Sequence, residues 1–296
     1  AAAVVIGADA VDTVSSLRLG RRDHVVVITL AEPEWPEALA VGAEAVVLLP
    51  DDERDLVRRL SVAARPHRGR LIGVLPAAGG SGASTFAAGL AVALGETGRE
   101  VLLVDADPCS GGIDLIVGAD DVPGARWSDL ATASGFLDPE SLRLALPRAA
   151  DVDVLAVDRE AEVAVPESLC SVLDSARLGY DVVVVDLPRS GFPRDQVLPL
   201  CDDVLLVVTS DVRGSTTGRR VLRSLRHLPV RLAVRRVRHG VLDADEVAAW
   251  CETDLAVEIP DEPRIMRTLE RGGGPVSARS RWAKVHRELA ETVAPS

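Results

Sequence analysis

The sequence has almost no lysine: among its 296 residues only Lys284 is a lysine, although Lys and Arg together number 33. Aromatic residues make up 3% of the chain, so a hydrophobic core must be built from Val, Leu, Ile and Ala. The cysteines are widely spaced and form no Cys-x-x-Cys pair; they are Cys109, Cys170, Cys201 and Cys251. This spacing suits a reducing compartment and argues against a zinc site.

Long apolar runs are also missing. No stretch approaches the roughly 20 apolar residues that a membrane span needs, so we expect no spanning helix. The formal net charge of −12 disfavours broad nucleic-acid binding by the molecule as a whole. With 47% hydrophobic and 26% charged residues, the composition is that of a globular protein that can hold one large α/β domain and a smaller unit.

Residues 71–90 have the pattern of a phosphate-binding loop. An apolar run at 71–75 predicts a buried strand, glycines follow it at 79–82, and Ser84 begins a predicted helix of small residues that ends near Gly95. Backbone N–H groups and the helix dipole favour an anion at such a place, and a hydroxyl there can reach Mg²⁺. The alternative is an ordinary strand-to-helix turn in which the glycines only allow close packing.

The position that usually carries the loop lysine, directly before the Ser-Thr pair, is Ala83. Since Lys284 is the only lysine, no other lysine near the loop can replace it. The predicted cradle therefore lacks the cationic side chain that neutralises the β- and γ-phosphates.

Acidic residues end two further predicted strands. The strand at 101–105 ends in Asp105, with Asp107 just beyond it, and a β-branched run ends in Asp186. The carboxyl ends of parallel strands line the ligand crevice of open α/β sheets. There Asp105 and Asp186 are placed to hold Mg²⁺ through water, and Asp107 is placed to position water or metal. The alternatives are that Asp107 caps a turn, that Asp105 is a satisfied buried acid, and that Asp186 is a plain strand-end acid.

A basic segment spans residues 212–242, which contain no Asp or Glu. Its nine arginines are Arg213, Arg219, Arg220, Arg223, Arg226, Arg231, Arg235, Arg236 and Arg238. Either this surface meets phosphate, nucleic acid, anionic lipid or an acidic partner, or it is a solvated face that pairs with acids of the chain itself. Both interpretations stay open at this point.

Residues 1–64 alternate between short apolar runs and amphipathic stretches. Strands are predicted at 4–7, 24–29 and 45–49, and helices at 11–18, 34–42 and 51–63. This alternation predicts a small parallel-sheet unit, which resembles the second half of a response-regulator receiver. If the first strand is the receiver's central one, Asp9 lies just beyond its end; if the second is, no acid stands there. We interpret residues 1–64 as a truncated or degenerate receiver used for interaction, joined by a linker at 65–70 to a domain at 71–296.

The remaining elements continue the alternation. Strands are predicted at 152–157, 203–209 and 255–259, and helices at 166–178, 243–251 and 277–293. The fold class expected from the whole pattern is α/β, with a doubly wound, mostly parallel sheet.

Taken in order, the glycine loop, Asp105-Ala106-Asp107-Pro108, the run at 181–188 and Ile259-Pro260-Asp261 resemble the MinD/ParA branch of P-loop ATPases over residues 70–294. The receiver-like unit and the lysine-poor loop further resemble the CpaE/TadZ group, in particular its actinobacterial septum-site-determining, CpaE-like members. The segments 121–127, 186–189 and 269–272 are typical of that subgroup.

The resemblance implies a site for ATP or ADP with Mg²⁺. Its loop residues would be Gly79, Gly80, Ser81, Gly82, Ala83, Ser84 and Thr85, and its metal residues Ser84, Asp105 and Asp186. The family's adenine site, an Asn-Arg pair and a Pro-Asp, corresponds here to Arg235-Arg236 and Pro260-Asp261. The signature lysine of MinD-like proteins, which acts across their dimer interface, is Ala78. We therefore expect weak or absent nucleotide binding and little or no hydrolysis, as in a pseudo-ATPase.

The resemblance also implies a cytoplasmic spatial organiser. Such a protein would act with protein partners in Flp (Tad) pilus or secretion assembly or in septum-site determination, as a homodimer, at a pole, a septum or the inner face of the membrane, with only peripheral membrane association. One alternative is a working ATPase in which Arg189 or Arg213 replaces the missing lysines. Another is a ParA-like DNA-binding protein that uses the arginines at 213–238, which the net acidity disfavours.

Overall fold

The computed structural model describes residues 3–17, 22, 24–31, 35–64, 68–130, 137–158, 165–269, 274 and 280–294. The chain divides into two compact units, Ala1–Arg68 and Gly69–Ser296. Half of the expected linker, residues 65–67, lies outside the described residues. Within the described ranges, no helix is both long and apolar enough to cross a bilayer.

The N-terminal unit contains a three-stranded parallel sheet in the order β1-β2-β3. Its strands are β1 (Val4–Gly7), β2 (Val25–Thr29) and β3 (Ala45–Leu48), and its helices are α1 (Val11–Ser16), α2 (Trp35–Ala40) and α3 (Glu53–Ala64). The predicted alternation of strands and helices is confirmed. A small core forms around Ile6, Val11 and Val27. Asp9 lies exposed in a 3₁₀ turn directly after β1.

The larger unit contains an eight-stranded sheet in the order β11-β10-β9-β4-β8-β5-β7-β6. Its strands are β4 (Arg70–Pro76), β5 (Val101–Asp105), β6 (Arg148–Ala149), β7 (Val152–Leu155), β8 (Val182–Asp186), β9 (Asp203–Thr209), β10 (Val230–Arg235) and β11 (Leu255–Ile259). All pairs are parallel except that of β6 with β7. The predicted α/β class with a mostly parallel sheet is confirmed.

Helices cover both faces of this sheet. They are α4 (Ala83–Gly95), α5 (Ile113–Val117), α6 (Trp127–Leu130), α7 (Pro139–Ala145), α8 (Leu169–Gly179), α9 (Arg194–Val197), α10 (Val212–Ser224), α11 (Ala244–Cys251), α12 (Arg264–Leu269) and α13 (Arg281–Val293). Alternate residues of β4 enter two separate cores, Leu71 and Leu75 on one side and Ile72 and Val74 on the other. This is the arrangement of a doubly wound sheet.

The last helix differs from its predicted range. It begins at Arg281 with Ser280 as its N-cap, and residues 277–279 lie outside the described residues. The predicted helix at 166–178 begins three residues later, at Leu169.

Helix α4, which begins at the glycine loop, is held in place by α13. Its body is buried because it consists of small and apolar residues on all sides. Gly89 allows the closest approach, since a Cβ there would lie 2.7 Å from His286 Nε2. His286 is fully buried and stacks on Trp282 with ring centroids 5.1 Å apart. Burial lowers the pKa of His286 to about 4, so the ring is neutral at pH 7.

Candidate functional site

The sheet brings the glycine loop and two predicted acids to one edge. Strand β8 pairs with β4 on one side and β5 on the other, so that Asp186 lies in register with Val74 and with Asp105. The loop after β4 and the ends of β5 and β8 therefore surround the same crevice. Strand β4 lies near the switch point of the sheet, with β8, β5, β7 and β6 on one side of it and β9, β10 and β11 on the other. Open α/β sheets bind ligands at such a point.

The loop has a backbone that only glycine adopts easily. Gly80 has φ of +75° and Gly82 has φ of +91°, both in the left-handed region. Gly82 is the N-cap of α4 and supplies no side-chain cap, so the first N–H groups of this 13-residue helix point to the crevice without a capping side chain. These N–H groups and the helix dipole suit an anion.

Two alanines stand where cations are expected. Ala83, the first residue of α4, is buried with 5% exposure, and Ala78 is half-buried before the glycines. Lys284 lies in α13, where its ammonium group pairs with Glu288. Neither alanine supplies charge to a phosphate.

Asp186 is a buried acid with an unused oxygen. The Ser84 hydroxyl donates a hydrogen bond to its carboxylate, but Oδ2 has no hydrogen-bond partner among the described residues. Burial raises the pKa of Asp186 to about 8, an effect that the Ser84 hydrogen bond opposes and the nearby charges of Asp105 and Asp107 reinforce. The carboxyl group thus carries its proton for much of the time at neutral pH when no cation is bound.

Asp105 is buried as deeply but is fully engaged. Its carboxylate accepts from Ser110 Oγ at 2.6 Å, from the Ile113 N–H at 3.0 Å and from the Asp107 N–H at 3.2 Å. Burial raises the pKa of Asp105 to about 6, which is less than for Asp186, and these hydrogen bonds lower it. Sequence reasoning did not assign Ser110 to this cluster, although it lies five residues beyond the acid in the same loop.

Asp107 and Trp127 support this loop. Asp107 is half-buried, and its Oδ1 accepts from the Cys109 N–H at 2.9 Å, the geometry of a turn cap. Trp127 is fully buried, and its Nε1 donates to the Asp105 carbonyl at 2.7 Å. Trp127 is therefore a core residue that packs under this loop.

The residues around Ser84 and Asp186 fit a magnesium ion. A hydroxyl and a carboxylate are oxygen ligands of the kind that Mg²⁺ takes, and Mg²⁺ usually keeps waters and phosphate oxygens for its other positions. In keeping with this, the described residues contain no cluster of three or more His, Cys, Asp or Glu side chains that would hold a metal by themselves. The unpartnered Oδ2 of Asp186 is the observation that favours a cation here.

Arg235, predicted to lie near adenine, lies against the glycine loop. Its Nη2 donates to the Gly80 carbonyl at 3.0 Å, and a Cβ on Gly82 would lie 3.5 Å from its Cδ and Nε. Burial lowers the pKa of Arg235 from its ordinary value, against the charges of Asp261 and Asp211. The charge of Asp261 thus acts on this guanidinium.

Pro260 joins this side of the crevice to the last helix. Its carbonyl accepts from Trp282 Nε1 at 3.0 Å, and the Asp261 carbonyl accepts from Arg281 Nη2 at 3.4 Å. The start of α13 thus fixes the segment that follows β11.

Part of the basic segment pairs within the chain. Arg219 contacts Glu252 and lies 4.8 Å from the Trp250 ring centroid. Arg231 pairs with Asp203, and Arg236 pairs with Glu258 at 2.6 Å. A pocket of about 350 Å³ remains beside α10, with Arg219, Arg223 and Arg226 on its wall and leucines in its floor. These pairs support the interpretation of a face neutralised by the chain's own acids for that part of the segment.

Comparison with known proteins agrees with this architecture. Residues 72–275 match the CobQ/CobB/MinD/ParA nucleotide binding domain, and residues 1–70 match the Rv3660c-like, CheY-like N-terminal domain. The uncharacterized protein Rv3660c of Mycobacterium tuberculosis is 38% identical over 300 residues, which cover 98% of this chain and 85% of that protein.

Two solved archaeal structures share the fold of the larger unit. The septum site-determining protein MinD of Pyrococcus horikoshii, complexed with Mg-ADP, is 27% identical with a TM-score of 0.64, over 77% of this chain and 96% of that one. The cell division ATPase MinD of Pyrococcus furiosus is 28% identical with a TM-score of 0.63, over 76% and 98%. The chain therefore belongs to the CobQ/CobB/MinD/ParA family of nucleotide-binding proteins and carries a CheY-like N-terminal domain of the Rv3660c type.

Proposed function

We propose that this MinD/ParA-family protein is a spatial organiser of the CpaE/TadZ type. It binds Mg·ATP or Mg·ADP weakly at residues 79–85 and hydrolyses ATP slowly or not at all. Its output is the placement of protein partners, in Flp (Tad) pilus or secretion assembly or in septum-site determination.

The observation that carries this proposal is that the crevice has groups to bind an anion and a metal but has no lysine beside them. The anion cradle and the metal acid are built, since Gly82 opens an uncapped helix N-terminus and Asp186 keeps an unused oxygen beside Ser84. The lysine positions, in contrast, hold Ala78 and Ala83. Stabilising the transferring phosphoryl group depends on cations placed around it, and an arginine supplied in trans can matter by about 10³–10⁵ in rate. Binding without fast hydrolysis follows.

In this proposal the residues have separate roles. Loop N–H groups at 79–85 hold phosphate oxygens, Ser84 and Asp186 hold Mg²⁺, and Asp105 acts on the metal through water. Asp107 positions water in any slow turnover. The Mg²⁺ ion, when bound, offsets the negative charge of the phosphates. Pro260 and Asp261 line the side of the crevice that faces the base.

The proposal also divides the chain by task. Residues 1–64 are the receiver-like interaction domain, 65–70 the linker and 71–296 the nucleotide domain. The protein acts in the cytoplasm as a homodimer, recruited to a pole, a septum or the inner face of the membrane by peripheral contacts. Its partners are proteins of the machinery that it places.

Isothermal titration of the full chain with Mg·ATP, Mg·ADP and Mg·GTP tests the nucleotide part. The site variant is Asp186→Asn, and the matched control is Asp181→Asn, at the exposed opposite end of β8. We expect measurable affinity in the wild type and the control, its loss in Asp186→Asn, and phosphate release near background. If no nucleotide binds at millimolar concentration, the proposed nucleotide site at residues 79–85 is wrong. Rapid ATP turnover would contradict the proposal that the protein is a pseudo-ATPase.

Imaging of the tagged full chain in living cells tests the positioning part. We expect a focus at a pole or a septum that persists in the Asp186→Asn variant, because partners rather than nucleotide place the protein. A uniform distribution in dividing and piliated cells would contradict the spatial role.

A further inference from the structure

The guanidinium of Arg235 lies where a phosphate-binding cation is needed. It extends from the end of β10, which is separated from β4 by β9, and reaches Gly80 of the glycine loop, 155 residues earlier in the chain. Within the described part of the chain, only one of its N–H donors has an acceptor, the Gly80 carbonyl, to which Nη2 donates at 3.0 Å. The side chain also packs beside Gly82, because its Cδ and Nε each lie 3.5 Å from the position that a Cβ on Gly82 would take.

One donor of this guanidinium is buried without a partner. Arg235 Nε has no hydrogen-bond partner among the described residues, although the atom is shielded from solvent. A buried donor left unpaired is costly, so such an N–H is satisfied when an acceptor enters the site. Guanidinium groups present parallel N–H donors whose geometry matches the oxygens of a phosphate.

The surrounding charges are otherwise negative. Asp261 and Asp211 act on Arg235, and Asp186 and Asp105 lie across the crevice. With alanines at both lysine positions, those of these acids that are ionised would repel a nucleotide's phosphates, because like charges at short range are destabilising. A cation beside the loop reverses this effect.

We propose that Arg235 is the phosphate-binding cation of this site and that the site reads phosphate number rather than base. This inference rests on the proposed nucleotide site and changes the role that resemblance gives to position 235, from contact with adenine to contact with the di- or triphosphate. Since that side chain points to the loop, ATP and GTP bind with similar affinity, whereas adenosine and AMP bind poorly.

The test is isothermal titration of the full chain with adenosine, AMP, ADP, ATP, GTP and tripolyphosphate in the presence of Mg²⁺. The variants are Arg235→Gln and Arg235→Lys, and the matched control is Arg226→Gln, an exposed arginine that precedes the opposite, amino end of β10. Thermal melting without ligand shows that each variant is folded.

We expect wild-type affinity to rise with phosphate number, with ATP and GTP within about threefold and with tripolyphosphate as a competitor. Arg235→Gln should weaken ATP binding roughly ten- to hundredfold, because it removes a hydrogen bond to a charged phosphate. Adenosine has no phosphate, so its affinity should hardly change. Arg235→Lys should keep part of the affinity, and Arg226→Gln all of it. Added salt should weaken ATP binding less in Arg235→Gln than in the wild type.

Three results separate the possible failures. If the wild type binds no nucleotide, the proposed function fails and the inference fails with it. If the wild type binds but Arg235→Gln weakens adenosine and ATP by the same factor, position 235 contacts the base and only the inference fails. If Arg235→Gln binds ATP more tightly, the side chain blocks the cradle, which also overturns the inference alone.

Discussion

Asp105 and Asp186 end neighbouring strands in register, and both are almost completely buried. Their surroundings differ in one respect. Three donors surround the carboxylate of Asp105, while Asp186 receives the Ser84 hydroxyl and keeps Oδ2 without a partner. Burial raises the pKa of both acids, to about 6 and about 8. Burial therefore does not distinguish an acid whose oxygens are held by the protein's own donors from an acid that keeps an oxygen for a direct ligand, whereas the number of committed donors does.

Removing each acid should separate the two roles most strongly. Asp105→Ala leaves the Ser110 hydroxyl and the N–H groups of Ile113 and Asp107 without their acceptor, so we expect a loss of about 3 kcal/mol in the free energy of unfolding. Asp186→Ala removes a buried acid with an unused oxygen, so stability without ligand should change by less than about 1 kcal/mol or rise. Urea unfolding at pH 7.5 without Mg²⁺ measures both values.

Equal losses in the two variants would contradict this difference between the acids. Asp181→Ala, at the amino end of β8, is the control for an exposed acid whose carboxylate accepts one N–H, that of Glu100. Its loss should fall between the two.

The pH dependence of stability should show the same difference. A carboxyl group with a folded-state pKa above its ordinary value of 3.8 keeps its proton in the folded chain while the unfolded chain has released it. Stability therefore falls as the pH rises toward the folded pKa. For Asp186 this fall continues to about pH 8, and we expect it to be on the order of 1–2 kcal/mol between pH 6.5 and 8.

Asp186→Asn tests this directly, because an amide does not titrate. Above pH 6.5 His286 adds no slope, since its lowered pKa costs stability only as the pH falls from about 6.5 toward 4. Asp105, with a pKa of about 6, contributes mainly below this window. Urea unfolding in metal-free buffer should show a flatter profile for the variant than for the wild type; an unchanged profile would mean that Asp186 is ionised in the folded chain.

Sequence reasoning predicted most of the architecture because each strand is a short apolar run bounded by turn residues. The bounds of β5 and β9 follow directly from such runs. Helix α10 was not delimited from the sequence, since its Arg, Ser and Thr residues give no apolar run. The short helices α5, α6 and α9 carry too few residues for a period to show.

Part of the site was predictable because some of its residues belong to local sequence motifs. Ser84 and Asp186 follow from local motifs, and their neighbouring positions follow from the rule that parallel strands end at one edge. The difference between Asp105 and Asp186 was not predictable, because it depends on donors that the folded loop brings together. The position of Arg235 depends on a contact between segments 155 residues apart, which no local pattern reports.

A lysine at position 83 should give the crevice the cationic loop side chain that it lacks. Ala83→Lys places an ammonium group next to the phosphates, and we expect about tenfold tighter Mg·ATP binding, equivalent to about 1.4 kcal/mol. Thr97→Lys, an exposed position beyond the other end of α4, adds the same charge away from the crevice and should have no effect on affinity. Titration calorimetry compares the two, and an equal gain in both would indicate a general effect of net charge.

Asp107 should give the smallest effect on stability, because its carboxylate caps the exposed turn at Cys109. Asparagine caps such turns as aspartate does, so Asp107→Asn should leave the free energy of unfolding within about 0.5 kcal/mol, the usual range for a substitution outside the core. Asp107→Ala removes the cap and should cost about 1 kcal/mol. If Asp107 also positions water for slow hydrolysis, as proposed, both variants lower single-turnover phosphate release equally, although only one loses stability. Measuring release and unfolding on the same two variants therefore tells whether Asp107 acts only as a turn cap or also in turnover.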